Sequence, residues 1–596
     1  MAGVTGGVHT KQIVRKSSFL LSAFWLWSFL APPADAASPA PAFGRDGMVV
    51  TSQIDATIAG HRMLVLGGNA VDAAVASAFA VGVTQPFSTG IGGGGFILIY
   101  LAGEDGGKVI ALDARETAPA AARRDMYVEE GVAQDASLRG GLAVATPGLV
   151  AGLLAAQAEY GRLSLPVVMA PAIELARDGF PIGPYNAKMM GFMRKRLPAS
   201  DPRFAETARI QFPPPGVPVV PGWRLVQRDL AMTLEAIAER GAEAFYEGPI
   251  AEAMARATVE AGGLMSVEDL ASYTPVTRRP VEGTYRDFEV FSFPPPSSGG
   301  VALIEMLNVL EGFDLSERPA GSSASIHVVA EAMKLAFADR AVHLGDPDFV
   351  EIPVERLTSK SYAEEQRARI NPPWFRRAPW TWGRGETVIE VKAPGLRQDD
   401  SGTTHLSTTD RWGNAVAITK TINTPYGSGV TAPGTGVLLN NEMDDFSRAP
   451  GEPNAYGLID TLGANAIAPG KRPLSSMTPT IVLRDGKLFM VTGSPGGPRI
   501  ISTTLLSILG VVDYGMDVKA SVSAPRFHQQ WVPDVLYVEP QVPADVIEGL
   551  RERGHDVKAS RRTWSAAEAI VIDPATGLHF GGNDPRRDGL ALGFSP

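Results

Sequence analysis

The chain contains no cysteine. Thiolate catalysis, thiolate metal sites and disulfides are therefore excluded. Histidine is sparse as well. The eight are scattered and no His-Glu-x-x-His occurs, so a histidine-built zinc motif finds no support. No Gly-x-Ser-x-Gly elbow is present. The run Gly90-Ile91-Gly92-Gly93-Gly94-Gly95 lacks the strand-before, helix-after setting of a dinucleotide fingerprint. Gly470-Lys471 is followed by Arg472, and Asn465 stands where a Walker A glycine belongs. No motif in the sequence asks for a nucleotide, a metal or another cofactor. A basic stripe is missing too. With a formal net charge of −10, nothing in the sequence suits neutralisation of nucleic-acid phosphates.

What is present is ordinary bulk with a distinctive N-terminus. At 596 residues, 45% apolar and 20% charged, the chain can bury a large core, and its length suggests two to four domains. Lys11, Arg15 and Lys16 precede an uncharged stretch, 17–34, with an apolar block at 19–30. Pro32-Pro33 ends it, and Ala34-Asp35-Ala36 offers small residues for a signal peptidase. The block is shorter than the ~20 residues of a membrane span. Residues 1–36 are expected to be a cleaved secretory signal, with an uncleaved anchor as the alternative. Export without cysteine fits a bacterial periplasm or the exterior, with no stable membrane association after cleavage.

Helical patterns come first along the mature chain: 54–66, closed by Gly67-Gly68, then 70–83 with Asn69 as its cap. Strands are expected at 96–100 and 109–113, leading to Arg115-Glu116-Thr117. From 147 to about 270 the pattern is mostly helical, with periodic segments at 149–160, 167–177, 230–239 and 249–261. Two short strands fall within 281–293, and a helix at 325–343. Residues 371–400 are irregular, rich in Pro, Trp and charge. A hairpin is expected at 403–423, turning at 410–414, then a strand at 436–439. A second hairpin, 480–492, turns at Asp485-Gly486, and a helix follows at 500–509. Helices, then strands, then strands with helices suit a layered sandwich with helices outside two sheets.

Gly402-Thr403 sits where the irregular stretch meets the first hairpin. A threonine hydroxyl needs a base. The cheapest is its own α-amine, which titrates near ~7.7 and is partly neutral at working pH. Thr403 would then have to be a chain N-terminus, freed by attack of its hydroxyl on the Gly402 carbonyl, where glycine hinders least. The plain alternative is a threonine-rich strand edge. Thr421 and Asn423 share one strand face and could orient a nucleophile, or be routine strand polarity. Glu442, Asp444 and Asp445 follow an apolar strand and suit an ammonium group; a solvated turn or a Ca²⁺ loop is the competing reading, although EF-hand spacing is absent. Gly496-Gly497 precede a helix and offer amides to an anion, or form a plain turn. Arg115, Ser475 and Ser476 could bind a carboxylate, but for Arg115 a buried ion pair such as one with Glu116 competes.

Together these segments resemble the γ-glutamyltransferase family of N-terminal-nucleophile hydrolases. The resemblance runs from about Gly47 to Asp588. It includes Gly67 to Ala74, Gly90 to Phe96, Arg115 to Pro119, Pro294 to Gly300 and Gly345 to Phe349. It continues through Thr403-Thr404-His405, Asn440 to Phe446, Pro473 to Met477 and Gly493 to Gly497. It implies an α+β fold, the four-layer αββα sandwich, with no cofactor. It implies a precursor cut between Gly402 and Thr403 into a large subunit (37–402) and a small one (403–596) that stay together as a heterodimer. Thr403 would attack the γ-amide of glutathione or another γ-glutamyl compound, activated by Thr421. Arg115, Ser475 and Ser476 would hold the α-carboxylate; Asn423, Glu442 and Asp445 the α-amino group; the Gly496 and Gly497 amides the oxyanion. Water or an amino acid would take the acyl group. Residues 450–457 resemble a lid loop, with Tyr456 as its shield. Lys420, Pro425 and Tyr426 depart from the bacterial pattern beside Thr421 and Asn423, which leaves acceptor preference open.

Overall fold

The computed structural model describes residues 39–103, 107–370, 402–449 and 451–595. The expected signal at 1–36, the irregular stretch 371–400 and Pro450 of the expected lid lie outside the described residues. The unit Pro41–Pro596 holds every element below.

Two seven-stranded antiparallel sheets form the centre. The first runs in the order Leu590–Phe594, Gly47–Thr51, Thr403–Asp410, Ala415–Thr421, Gly94–Leu101, Lys108–Ala114, Val276–Arg278. The second runs Ala42–Gly44, His579–Asn583, Glu568–Ile572, Lys487–Thr492, Thr480–Arg484, Phe288–Ser292, Val281–Tyr285. Strand alternation explains why both sheets are covered on both sides. Met48, Val50, Phe96 and Leu98 point inward and meet Ile481, Val491 and Ile570 of the other sheet. Phe96 and Phe293 stack across this interface at 4.1 Å. The intervening residues Val49, Ile97, Ile99, Val416 and Ile418 point outward into a helical layer.

That layer includes Ile54–Val65, Ala70–Thr84, Leu149–Tyr160 and Leu165–Asp178. Ala70–Thr84 is buried along its whole length. It starts where the sequence places it: Asn69 accepts from the Val71 and Asp72 amides, and Asp72 accepts from the Asn69 amide in return. Gly299–Leu310, Ser323–His343 and Arg499–Val512 cover the second sheet. The result is the αββα sandwich expected from the sequence.

Both expected hairpins form and turn where expected, at 410–414 and at Asp485-Gly486. The strand expected at 436–439 is only Val437–Leu438, paired with Thr431–Ala432 in a small separate ribbon. Here the backbone serves the site loop instead of a sheet: the Leu439 carbonyl accepts from the Ser428 amide and hydroxyl.

Candidate active site

Thr403 opens the strand beside the central one of the first sheet, and the hairpin register sets Thr421, on the central strand, directly opposite it. Their hydroxyl oxygens are 3.1 Å apart. Thr421 Oγ1 also contacts the Gly402 carbonyl at 2.7 Å and receives the Asn423 amide at 2.8 Å. A hydroxyl carries one proton, and the carbonyl can only accept. Thr421 must therefore donate to Gly402 and accept from Thr403. That polarises the Gly402 carbonyl and aims the Thr403 lone pairs away from Thr421. The Thr403 carbonyl is itself held by Arg587 Nη1 at 2.8 Å.

Gly402 has a second reason to be glycine that the sequence does not reveal. A Cβ built there would fall 1.6 Å from the Asn423 carbonyl oxygen. The chain crosses the end of the hairpin too closely for any side chain. Asn423 itself holds a left-handed conformation, φ 72°, which asparagine tolerates better than most residues.

A small cavity lies over Thr403. Its walls include Thr421, Asn423, Arg115, Glu442, Asp445, Ser475, Ser476, Tyr456 and Gly497. Ten of the expected site residues, scattered over nearly four hundred positions of sequence, thus converge on one small space. Gly496 stands just outside the lining, packed against Ser565.

Part of the cavity lining is dense with charge. Arg115 is completely buried and pairs with Glu442 through Nη1, with Asp445 through Nη2 at 2.5 Å, and with the Pro473 carbonyl through Nε at 3.0 Å. Glu116 lies 3.5 Å away. The groups expected to hold a carboxylate and those expected to hold an ammonium therefore hold each other. The Glu116 pair anticipated from sequence is the longest of the three. Burial alone would lower Arg115; Glu442, Asp445 and Glu116 together outweigh it and hold the guanidinium above its ordinary value. Burial pushes Glu116 up to about 7 despite Arg115. Burial likewise raises Glu442, with Glu116 and Asp445 adding to the effect. Three carboxyl groups thus share one guanidinium. Glu442 Oε2 and Glu116 Oε1 are buried without a hydrogen-bond partner. An incoming ammonium would satisfy this excess of acid.

Asn423 donates its Nδ2 to the Asn441 carbonyl at 2.8 Å, which fixes the amide and leaves its oxygen to accept. Ser475 Oγ accepts from the Met477 amide at 3.1 Å, leaving its own proton to donate. Gly497, at φ +56°, precedes the helix Arg499–Val512, and a Cβ there would meet the Tyr456 ring at 2.6 Å. Tyr456 closes the cavity: its hydroxyl donates to the Asn423 carbonyl at 3.0 Å, and Asp444 fixes the preceding turn by accepting the Ala455 amide at 2.9 Å.

Asp444 thus serves the loop and not the clamp. Glu116 is an acidic member of the clamp, although its place in the sequence marks it only as a rival partner of Arg115. Arg587 carries no signal in the sequence that ties it to Thr403. The histidines, scattered in sequence, are not all apart in space. His327 Nδ1 and His555 Nε2 are 2.8 Å apart, with Glu331 alongside, in a buried group that could hold a metal. Within the group His555 Nδ1 faces Glu331 at 3.8 Å, and Lys334 pairs with Glu331 at 3.3 Å.

The fold is that of the N-terminal-nucleophile hydrolases. Residues 56–594 match the family described as Gamma-glutamyltranspeptidase, and the chain belongs to it. It is 43% identical over 587 residues to the glutathione hydrolase proenzyme of Escherichia coli (strain K12), across 96% of this chain and 98% of that one. It is 40% identical over 565 residues to the acylase ACY 1 proenzyme of Pseudomonas sp. (strain V22), across 93% and 95%. Among solved structures, the cephalosporin acylase from Bacillus halodurans superposes with a TM-score of 0.81 at 28% identity, covering 95% of this chain and 99% of that one.

Proposed function

We propose that the protein is a self-processing γ-glutamyltransferase and glutathione hydrolase whose nucleophile is Thr403. The observation that carries this reading is that the Thr403–Thr421 hydroxyl pair and the acidic Arg115 clamp line one small cavity. In the precursor, Thr403 Oγ1 attacks the Gly402 carbonyl that Thr421 polarises. The Gly402–Thr403 peptide bond becomes an ester, water hydrolyses it, and Thr403 gains a free α-amine. The large subunit (37–402) and small subunit (403–596) then stay together through the two sheets they share.

In the mature enzyme the α-amine takes the Thr403 proton as the hydroxyl attacks the γ-carbonyl of the donor. Amides at Gly496 and Gly497 hold the developing oxyanion, a contribution of about 3–4 kcal/mol for a well-placed donor. The C–N bond breaks, the amine leaves with the proton, and a γ-glutamyl ester remains on Thr403. Water, or an amino acid or peptide amine, then takes the acyl group. The α-carboxylate of the donor pairs with Arg115, Ser475 and Ser476. Its α-ammonium takes the place of that guanidinium on Glu442 and Asp445, beside the Asn423 oxygen. Tyr456 shields the ester. The basic and apolar pattern of 1–36 supports export, and the enzyme works in the periplasm or outside the cell. Among the described residues no helix is long and apolar enough to cross a membrane.

The acylase relatives make the second reading concrete: a glutaryl side chain has no α-ammonium. Glu442, Asp445 and Glu116 would be a liability around such a substrate, since burial of unpaired acid is costly. Turnover of γ-glutamyl-p-nitroanilide and of glutaryl-p-nitroanilide separates the two. The γ-glutamyl compound is expected to react at least ~100-fold faster by kcat/KM, the effect of roughly 3 kcal/mol of clamp interaction. Preference for the glutaryl compound would move the assignment to an acylase.

A further inference from the structure

One buried cation near the site is left unexplained by this mechanism. Arg340 lies on the helix Ser323–His343 and is 4% exposed. Among the described residues its guanidinium makes no ion pair within 4.0 Å. Its one hydrogen bond to a side chain runs from Nε to Ser298 Oγ at 3.1 Å. Ser298 in turn donates to the Ser475 carbonyl, through its hydroxyl at 2.7 Å and its amide at 2.8 Å. Arg340 also lines a second small cavity. Asp445, Leu458 and Leu474 form the partition, since each lines both this cavity and the one over Thr403.

We propose that Arg340 is a positioning residue for γ-glutamyl donors, acting as the counter-charge to Asp445 from behind the clamp. The proposal rests on the reading of function above. Binding a zwitterionic donor requires Arg115 to turn from Glu442 and Asp445 toward the incoming carboxylate. Without a second cation, the donor's ammonium would be the one positive charge left to three buried carboxyl groups. Arg340 stays in place on the other side of Asp445 and leaves that carboxylate facing a positive charge throughout. Burial pulls Arg340 down to about 10, with Asp445 and Asp460 pulling it back up, so it remains charged at neutral pH. Asp460 does not compete for it closely, because its carboxylate already accepts from the Leu462, Gly463, Ala464 and Asn465 amides. The link through Ser298 anchors the guanidinium at the back of Ser475.

The test is a double-mutant cycle on the processed, purified enzyme with γ-glutamyl-p-nitroanilide. Wild-type turnover is measured first; its absence would overturn the reading of function itself. Arg340→Gln should raise KM about tenfold and leave kcat within about twofold, because the residue acts on donor binding and touches no reacting atom. Arg340→Lys keeps the charge and should stay within about threefold of wild-type KM. In an Asp445→Asn background the Arg340→Gln penalty should largely vanish, since the pair acts as one unit. Arg340→Met serves the same cycle if the glutamine variant is not recovered folded. Additive effects of the two substitutions, a kcat loss at constant KM, or a lysine variant as poor as the glutamine one would each overturn the role given to Arg340 and leave the function standing.

Discussion

Two parts of the candidate cavity's lining are built from opposite materials. One part holds Thr403, Thr421 and Gly497, with Gly496 just outside, all neutral, positioned by backbone register and close approach. In the other, Arg115, Glu116, Glu442 and Asp445 crowd buried charge into one contact network. The difference follows from what each part is proposed to do. Bond making needs fixed geometry, and a strand pair with a crossing chain at Gly402 supplies it without any net charge. Recognition of a zwitterion needs charge, and charge is only useful there if it is desolvated yet mutually neutralised. The clamp meets that condition in part, by pairing Arg115 with three carboxyl groups, and the acid left over is what a donor's ammonium would satisfy.

If this division holds, substitutions in the two parts should fail in different ways. The larger effect belongs to the neutral part. Thr421→Val removes the donor to the Gly402 carbonyl and the acceptor for Thr403 while preserving shape. Self-cleavage and kcat should both fall by about 10²–10³, with donor KM little changed, as read by the rate of band conversion on a gel and by steady-state kinetics. The clamp should show the converse. Asp445→Asn is expected to raise donor KM about 30-fold, the equivalent of ~2 kcal/mol for a charged contact, and to leave self-cleavage intact. Ser475→Ala, the loss of one neutral hydrogen bond, should raise KM only about fivefold. A Thr421 variant that fails through KM, or an Asp445 variant that cannot cut itself, would erase the distinction.

The same comparison explains what can be read from sequence. The neutral part is local. Thr403, the turn at 410–414 and Thr421 belong to one hairpin, so strand alternation and turn chemistry are enough to set the two threonines face to face. Gly402 is legible as a glycine at a junction, but its clash with Asn423 depends on a crossing that no local pattern encodes. The clamp is assembled from four separate stretches, and only the resemblance to a family gathers Arg115, Glu442, Asp445 and Ser475 together. Glu116 is visible only as the neighbour of Arg115, and strand alternation gives no hint that both are buried. Arg340 leaves no signal, because Ser323–His343 is buried around nearly its whole circumference and offers no amphipathic face to read. The αββα layering is legible because Ala70–Thr84, the two hairpins and Arg499–Val512 each carry their own caps, turns or periodicity.

The central claim, that the bond before Thr403 is both the switch and the source of the nucleophile, is tested most directly by intact-mass analysis of the purified protein and its Thr403→Ala variant. The account predicts two chains in the wild type, the smaller beginning at Thr403, and one uncut, inactive chain in the variant. A small chain beginning at any other residue, or a Thr403→Ala protein that still divides in two, would contradict it.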